Sequence, residues 1–381
     1  MTLILIVLLV ALVFEYINGF HDTANAIATI VSTKVLTPRQ ALVLSTLFNL
    51  LGALTGTAVA STIGQGLVDT HFVTATTLLA ALLSAIAWNL LTWWLGLPSS
   101  SSHALIGGML GSAISAFGLH MNGARVIIWK GLYEKVLAPS LLAPLLAIPT
   151  ATLLMLILLW LIRKRRPDRV NHFFRRLQPL SSGWLAFTHG TNDAQKTMGI
   201  LALALVASGH LDASFSRPPL WVIIGAATAM SLGTYAGGWR IIRTVGQRIT
   251  KLEPPRAFAA EVTAGSVLWL TAHFGFPVST THTVSSSVLG AGAAGSRLRA
   301  VRWGVAGNIV IAWLITLPCA ALVGAGVEFL TRLPGGVFFA LAVAAGAGTL
   351  ALMARSKHLS AGKVQPDVDL VHEGLIEAGA N

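Results

Sequence analysis

Five ionisable side chains, Glu15, Asp22, Asp193, Lys196 and Glu261, lie deep inside long apolar runs of this 381-residue sequence. A charged residue at the centre of a membrane helix costs roughly 2.5–3.5 kcal/mol on insertion scales, so such groups face a cavity or a partner and mark ion or proton paths. Two of the acids sit in related motifs. GFHDTANA (19–26) aligns with GTNDAQKT (190–197), which pairs Asp22 with Asp193, His21 with Asn192 and Asn25 with Lys196. Each motif is followed at a distance by hydroxyls behind a proline. PSSSSHA (98–104) aligns with PVSTTHT (277–283), pairing Ser101 with Thr280, Ser102 with Thr281 and His103 with His282. The acid precedes its hydroxyl run by 79 residues in one half and 87 in the other. Two motifs in one order at nearly one spacing describe an internal duplication.

A hydroxyl run that opens a helix has a specific chemistry. The first turn of a helix presents free N–H groups and a partial positive charge, which attract anions. Ser100, Ser101 and Ser102, with Ser279, Thr280 and Thr281, add donors at the same place. Two such tips facing each other would cradle a small tetrahedral oxyanion. His103 and His282 follow the tips and could tune protonation. Plainer readings exist for each. Asp193 and Lys196, three residues apart, can form a structural ion pair. Helix hydroxyls often bond back to a carbonyl one turn earlier. Glu15 has no counterpart in the second half and is equally well a structural acid. A Ser–His or Thr–His nucleophile is disfavoured, since chain neighbours on a helix diverge by roughly 100°. An anion channel needs a continuous pore, commonly built on oligomer symmetry. An internal repeat favours a transporter.

The elements that carry these residues are membrane helices. The chain is 54% hydrophobic and 10% charged, with mean hydropathy +0.73, whereas soluble domains carry about 25% charged residues. Segments of spanning length fall near 2–33, 40–61, 73–95, 139–162, 183–208, 219–239, 257–275, 304–329 and 335–354. The first is too long for one straight helix and is expected to break near Gly19. Shorter pieces at 101–118 and 280–296 suit re-entrant half-helices. The N-terminal run lacks a basic leader and a small-residue cleavage site, so it reads as a retained helix. Cys319 stands alone, which excludes an intrachain disulfide or a cysteine metal cluster.

The formal charge of +12 does not point to nucleic acid, because the basic residues cluster between apolar segments. RKRRPDRVNHFFRR (163–176) is the densest cluster; others are Arg240–Arg256 and Arg297–Arg302. That asymmetry is the positive-inside pattern. With 163–182 as a cytoplasmic loop, Lys34 and Arg39 also lie inside. The Asp22 helix then runs inward and the Asp193 helix outward, so the repeats are inverted, with the substrate site near the midplane. The expected fold is an all-α polytopic membrane protein: two inverted repeats with discontinuous helices and two re-entrant hairpins, in about 9–12 membrane segments. Residues 1–162 form the first repeat, 163–182 a basic cytoplasmic linker, 183–354 the second repeat and 355–381 a cytoplasmic tail. The N-terminus lies outside and the C-terminus inside.

GFHDTANA and HGTNDAQK resemble the paired signatures of the inorganic phosphate transporter (PiT) family, and PSSSSHA and PVSTTHT resemble its two hairpin tips. The likeness runs from about residue 10 to 330 and is nearest the bacterial low-affinity Pit-type branch. It implies a dimeric inverted-repeat symporter in the cytoplasmic membrane that takes inorganic phosphate, with arsenate as an analogue, together with a cation. On that resemblance Asn25, Asn192 and the tip hydroxyls Ser101, Ser102, Thr280 and Thr281 are expected to bind phosphate, and the helix-tip chemistry adds Ser100 and Ser279 to the candidates. Asp22, Asp193, Lys196 and Glu261 belong to cation or proton coupling, with His21, His103, His282 and Glu15 as secondary candidates. No cofactor is implied. The sodium-coupled pattern is typically G-x-N-D-x-x-N-A in both halves. Here His21 replaces the first Asn of one half and Lys196 the second Asn of the other. An ammonium cannot ligate sodium, so the expectation is proton coupling, with sodium as the alternative. The Pit-type branch adds a divalent metal that moves with phosphate. Sulfate, fully ionised at neutral pH, has no proton to offer a carboxylate, which favours phosphate.

Overall fold

Apolar sequence closed by local caps gives helix throughout the computed structural model, which describes residues 2–121, 124–250, 252–295 and 301–342. The tail from 355, and most of the segment expected at 335–354, lie outside these residues. Met1–Ala340 form one compact unit. Its helices are α1 (Thr2–Ser32), α2 (Pro38–Ala53), α3 (Ala58–Gln65), α4 (Ala75–Leu95), α5 (Ser101–Phe117), α6 (Trp129–Gly131), α7 (Ala138–Ile162), α8 (Pro167–Ala207), α9 (Leu220–Ala236), α10 (Trp239–Arg243), α11 (Pro254–His273), α12 (Thr280–Ala293) and α13 (Trp303–Thr331). A two-residue antiparallel pair, β1 (His120–Met121) and β2 (Ala124–Arg125), closes one connection. Every spanning segment expected as far as 304–329 is found as helix.

Starts and stops follow side-chain chemistry. Thr37 caps α2 and Thr74 caps α4, each in a reciprocal capping box. Gly96 ends α4 in the left-handed conformation. Among the described residues four helices or continuous helical stretches are long and apolar enough to cross a bilayer, or six if each bent pair counts as one span. Large apolar residues face outward, such as Leu314 and Leu322, while Glu15, Asn49, Asp193 and Glu261 are buried. Polar inside and apolar outside is the pattern of a protein solvated by lipid.

Two expectations are corrected. α1 runs through Gly19 without a break, as α8 runs through Gly190. A Cβ at Gly19 would lie 2.2 Å from the Met230 carbonyl oxygen, and one at Gly190 2.2 Å from that of Asn49. The glycines let helices touch backbone to backbone; they do not make hinges. The bends come one helix later, at 68° between α2 and α3 and at 64° between α9 and the stretch Trp239–Arg248. Gly56 and Gly237 take the positive φ values these corners need. The second correction concerns 163–182, which is not a loop throughout: α8 begins at Pro167, so Arg169, Arg175 and Arg176 lie at exposed positions of a helix.

The halves pack by exchange. α1 packs on α9 and α8 on α2, while α5 packs on α13 and α12 on α7. Glycines mark both of the first two contacts, since a Cβ at Gly52 would meet the Phe187 oxygen and one at Gly233 the Tyr16 oxygen. α1 and α8 run in opposite senses along each other. Glu15 meets Thr197, Ala26 meets Ser182 and Thr33 meets Gln178.

Candidate functional site

Both acid motifs occupy mid-helix positions, Asp22 and Asn25 on α1 and Asp193 and Lys196 on α8. The hydroxyl runs open α5 and α12, each reached by an extended stretch after a proline. Ser100 and Ser279 are N-caps, their hydroxyls accepting from the amides of His103 and His282. As caps, the two serines hold in shape the tips that carry the expected ligands. The next two hydroxyls of each tip project to the acid motifs.

The contacts fall into two matched pairs. Each acid accepts from the first hydroxyl of its own half, Asp22 from Ser101 at 3.2 Å and Asp193 from Thr280 at 2.9 Å. The residue three positions later donates to the second hydroxyl of the opposite half. Asn25 reaches Thr281 at 2.9 Å, and Lys196 reaches Ser102 at 2.5 Å. The two tips meet directly, with the His103 and His282 rings edge to face at 4.8 Å. All these side chains are buried.

Each acid carries a basic neighbour. Nδ1 of His21 lies 2.6 Å from Asp22, and its Nε2 lies 3.1 Å from the Thr92 hydroxyl. Lys196 donates to Asp193 and, at 3.0 Å, to the Val278 carbonyl behind the second tip. Nε2 of His189 lies 3.1 Å from Asp193, while its Nδ1 lies 3.0 Å from the Asn49 side-chain oxygen. Ligand atoms of Asp22, His189 and Asp193 all fall within 4.8 Å of one another. One imidazole and two carboxylates suit a divalent metal better than sodium, which takes oxygen. Among the described residues the buried Asn192 amide has a partner for neither polar atom, and the Asn25 carbonyl oxygen likewise lacks one.

Glu261 is not brought to this site. It accepts from Thr29 at 2.6 Å, from Gln178 at 3.1 Å and from Ser181. Thr29 lies seven residues beyond Asp22, about 10 Å along a helix. Glu15 sits seven residues before Asp22, against Thr197 and Asn18. Two residues of the site, His189 and Asn49, do not stand out in the sequence. His189 does head the HGTNDAQK signature, which is the signal that could have found it; Asn49 reaches it only by the α2–α8 contact.

These features describe a polytopic membrane protein with a buried polar centre held between α1, α8 and the tips of α5 and α12. Residues 18–324 match the profile of the Phosphate transporter family, and the chain belongs to that family. It is 49% identical over 348 residues, 89% of this chain and 81% of the relative, to a probable low-affinity inorganic phosphate transporter of Mycobacterium bovis. Its identity to the Bacillus subtilis protein of the same description is 44% over 333 residues, 87% of this chain and 98% of that one. Both relatives are described as transporters, not enzymes. A solved structure described as the sodium-dependent phosphate transporter superposes with TM-score 0.77 at 25% identity, covering 87% of this chain and 99% of that one.

Proposed function

We propose that the protein is a symporter that imports inorganic phosphate by alternating access, with protons as the coupling ion. Phosphate lies between the tips of α5 and α12, held by Ser101, Ser102, Thr280 and Thr281 and by the amides of Asn25 and Asn192. The family and the names of its relatives support the substrate. The matched pairs of contacts and the opposed course of α1 and α8 support two inverted repeats, so that the site opens to either side by exchange of equivalent conformations. The loop-charge pattern supports a cytoplasmic membrane location with the N-terminus outside, and the resemblance to the family supports a dimer.

Proton coupling rests on one observation. The Lys196 ammonium bonds Asp193, Ser102 and the Val278 carbonyl at the position where the first half has Asn25. A tethered cation there neutralises one acid permanently and stands where a sodium ion would need an oxygen ligand. The driving charge then arrives as a proton. Sodium coupling is the second reading, supported by the description of the structural neighbour. The Asp22–His189–Asp193 cluster suits the metal of a metal–phosphate complex, carried as cargo.

Purified protein in proteoliposomes tests the substrate. Saturable, concentrative uptake of phosphate, competed by arsenate and not by sulfate, is expected. Uptake that never exceeds equilibration, or equal transport of sulfate, contradicts the reading.

A further inference from the structure

We propose that Glu15 is the residue that takes up and releases the coupling proton, an inference that rests on the proton reading above. The buried acids of the bundle differ in what holds them. Asp193 is bonded by Lys196 and contacted by His189. Asp22 is contacted by His21 and Ser101. Glu328 contacts Arg332 near the end of α13. Glu261 is held by three neutral donors from α1 and α8, which occupy both of its oxygens. Asp22, Asp193 and Glu328 thus each have a basic side chain against them, and Glu261 has donors on both oxygens.

Glu15 is fully buried and fastened on one oxygen only. The Thr197 hydroxyl and the Asn18 amide both donate to Oε2, Asn18 at 3.4 Å. Among the described residues Oε1 has no partner, nor does the Asn18 carbonyl oxygen beside it. Amides and hydroxyls donate and accept alike. Asn18 and Thr197 can therefore serve the carboxylate as donors and the neutral acid as acceptors, so this pocket suits both forms of the side chain. A proton from water bonds Oε1 on one side of the membrane; the same O–H bond breaks after the site has turned to the other side, returning the proton to water. The charged groups that reach Glu15 are Asp193 and Lys196, both on α8. Thr197 follows Lys196 in the chain, so the state of Glu15 is felt directly by the Lys196–Asp193 pair that meets the substrate.

The test uses the full chain in proteoliposomes, with radiolabelled phosphate and an imposed pH gradient. Glu15→Gln should abolish gradient-driven accumulation, the internal-to-external ratio falling to about unity, while exchange of internal for external phosphate persists. Glu15→Asp should keep accumulation, and Thr197→Val should shift its pH dependence. Accumulation in Glu15→Gln equal to wild type overturns the proposal. Loss of exchange together with accumulation in that variant also overturns it, by showing a structural acid. Wild-type protein that ignores the pH gradient instead defeats the coupling reading itself, before Glu15 is at issue.

Discussion

Lys196 and Ser102 bond at 2.5 Å across the two halves of the chain, and the bond has a mirror in the 2.9 Å contact between Asn25 and Thr281. The geometry is shared and the chemistry is not. Where one half offers a neutral amide whose carbonyl oxygen is unpartnered among the described residues, the other offers an ammonium that also bonds Asp193. A site with this asymmetry has a tethered basic side chain in one half only.

Removing the neutral half of the pair should weaken substrate binding. Asn25→Leu and Thr281→Val each delete a tip contact and leave the other partner buried without its hydrogen bond, a cost of about 1–3 kcal/mol. Phosphate uptake by either variant is expected to show KM raised roughly 10-fold or more, since about 1.4 kcal/mol is a tenfold change. The double variant should show less than the summed effect, because both lose one bond. Additive effects would separate the two residues.

The glycines of the acid motifs are expected to behave as contact residues. Gly19→Ala and Gly190→Ala each put a methyl 2.2 Å from a backbone oxygen of the neighbouring helix. Overpacking of this kind costs about 1–3 kcal/mol. Thermal unfolding in detergent should fall for both, while Gly326→Ala, with nothing within 4 Å of the new Cβ, serves as the unchanged control. Full stability in Gly19→Ala would return the glycine to a hinge role.

Glu261 ties α1, α8 and α11 together through three donors. Glu261→Gln turns one acceptor oxygen into an NH₂ group facing those donors, so it should destabilise the fold by about 1–3 kcal/mol. Glu15→Gln should not, because Oε1 has no donor facing it among the described residues and the new NH₂ group can take that place. Denaturation of the two variants in parallel checks the contrast. Equal loss of stability would show that both acids are structural.

How far the sequence reaches depends on what kind of contact each residue makes. The duplicated motifs stand in the chain as residue types at fixed spacing, so Asp22, Asp193 and the four inner tip hydroxyls are legible from composition and order alone. The caps Ser100 and Ser279 group with those hydroxyls, because composition does not say which serine of a run turns inward. Gly19 reads as a hinge for a related reason. A glycine needed for close helix contact and one needed for a bend look alike until the neighbouring backbone is in place. Asn49 and Gln178 act through partners 140 and 83 residues away, and no local pattern marks such pairs.

Lys196 as a tethered cation is the central claim, and phosphate uptake into proteoliposomes under separately imposed pH and sodium gradients tests it most directly. Wild-type protein should respond to the pH gradient and ignore sodium. Lys196→Asn, which restores the amide found in the other half, should lose most of the pH response, about tenfold in rate or more, a barrier change of about 1.4 kcal/mol, and begin to respond to sodium. Sodium-driven accumulation in the wild type, or a Lys196→Asn variant indistinguishable from it, would contradict the account.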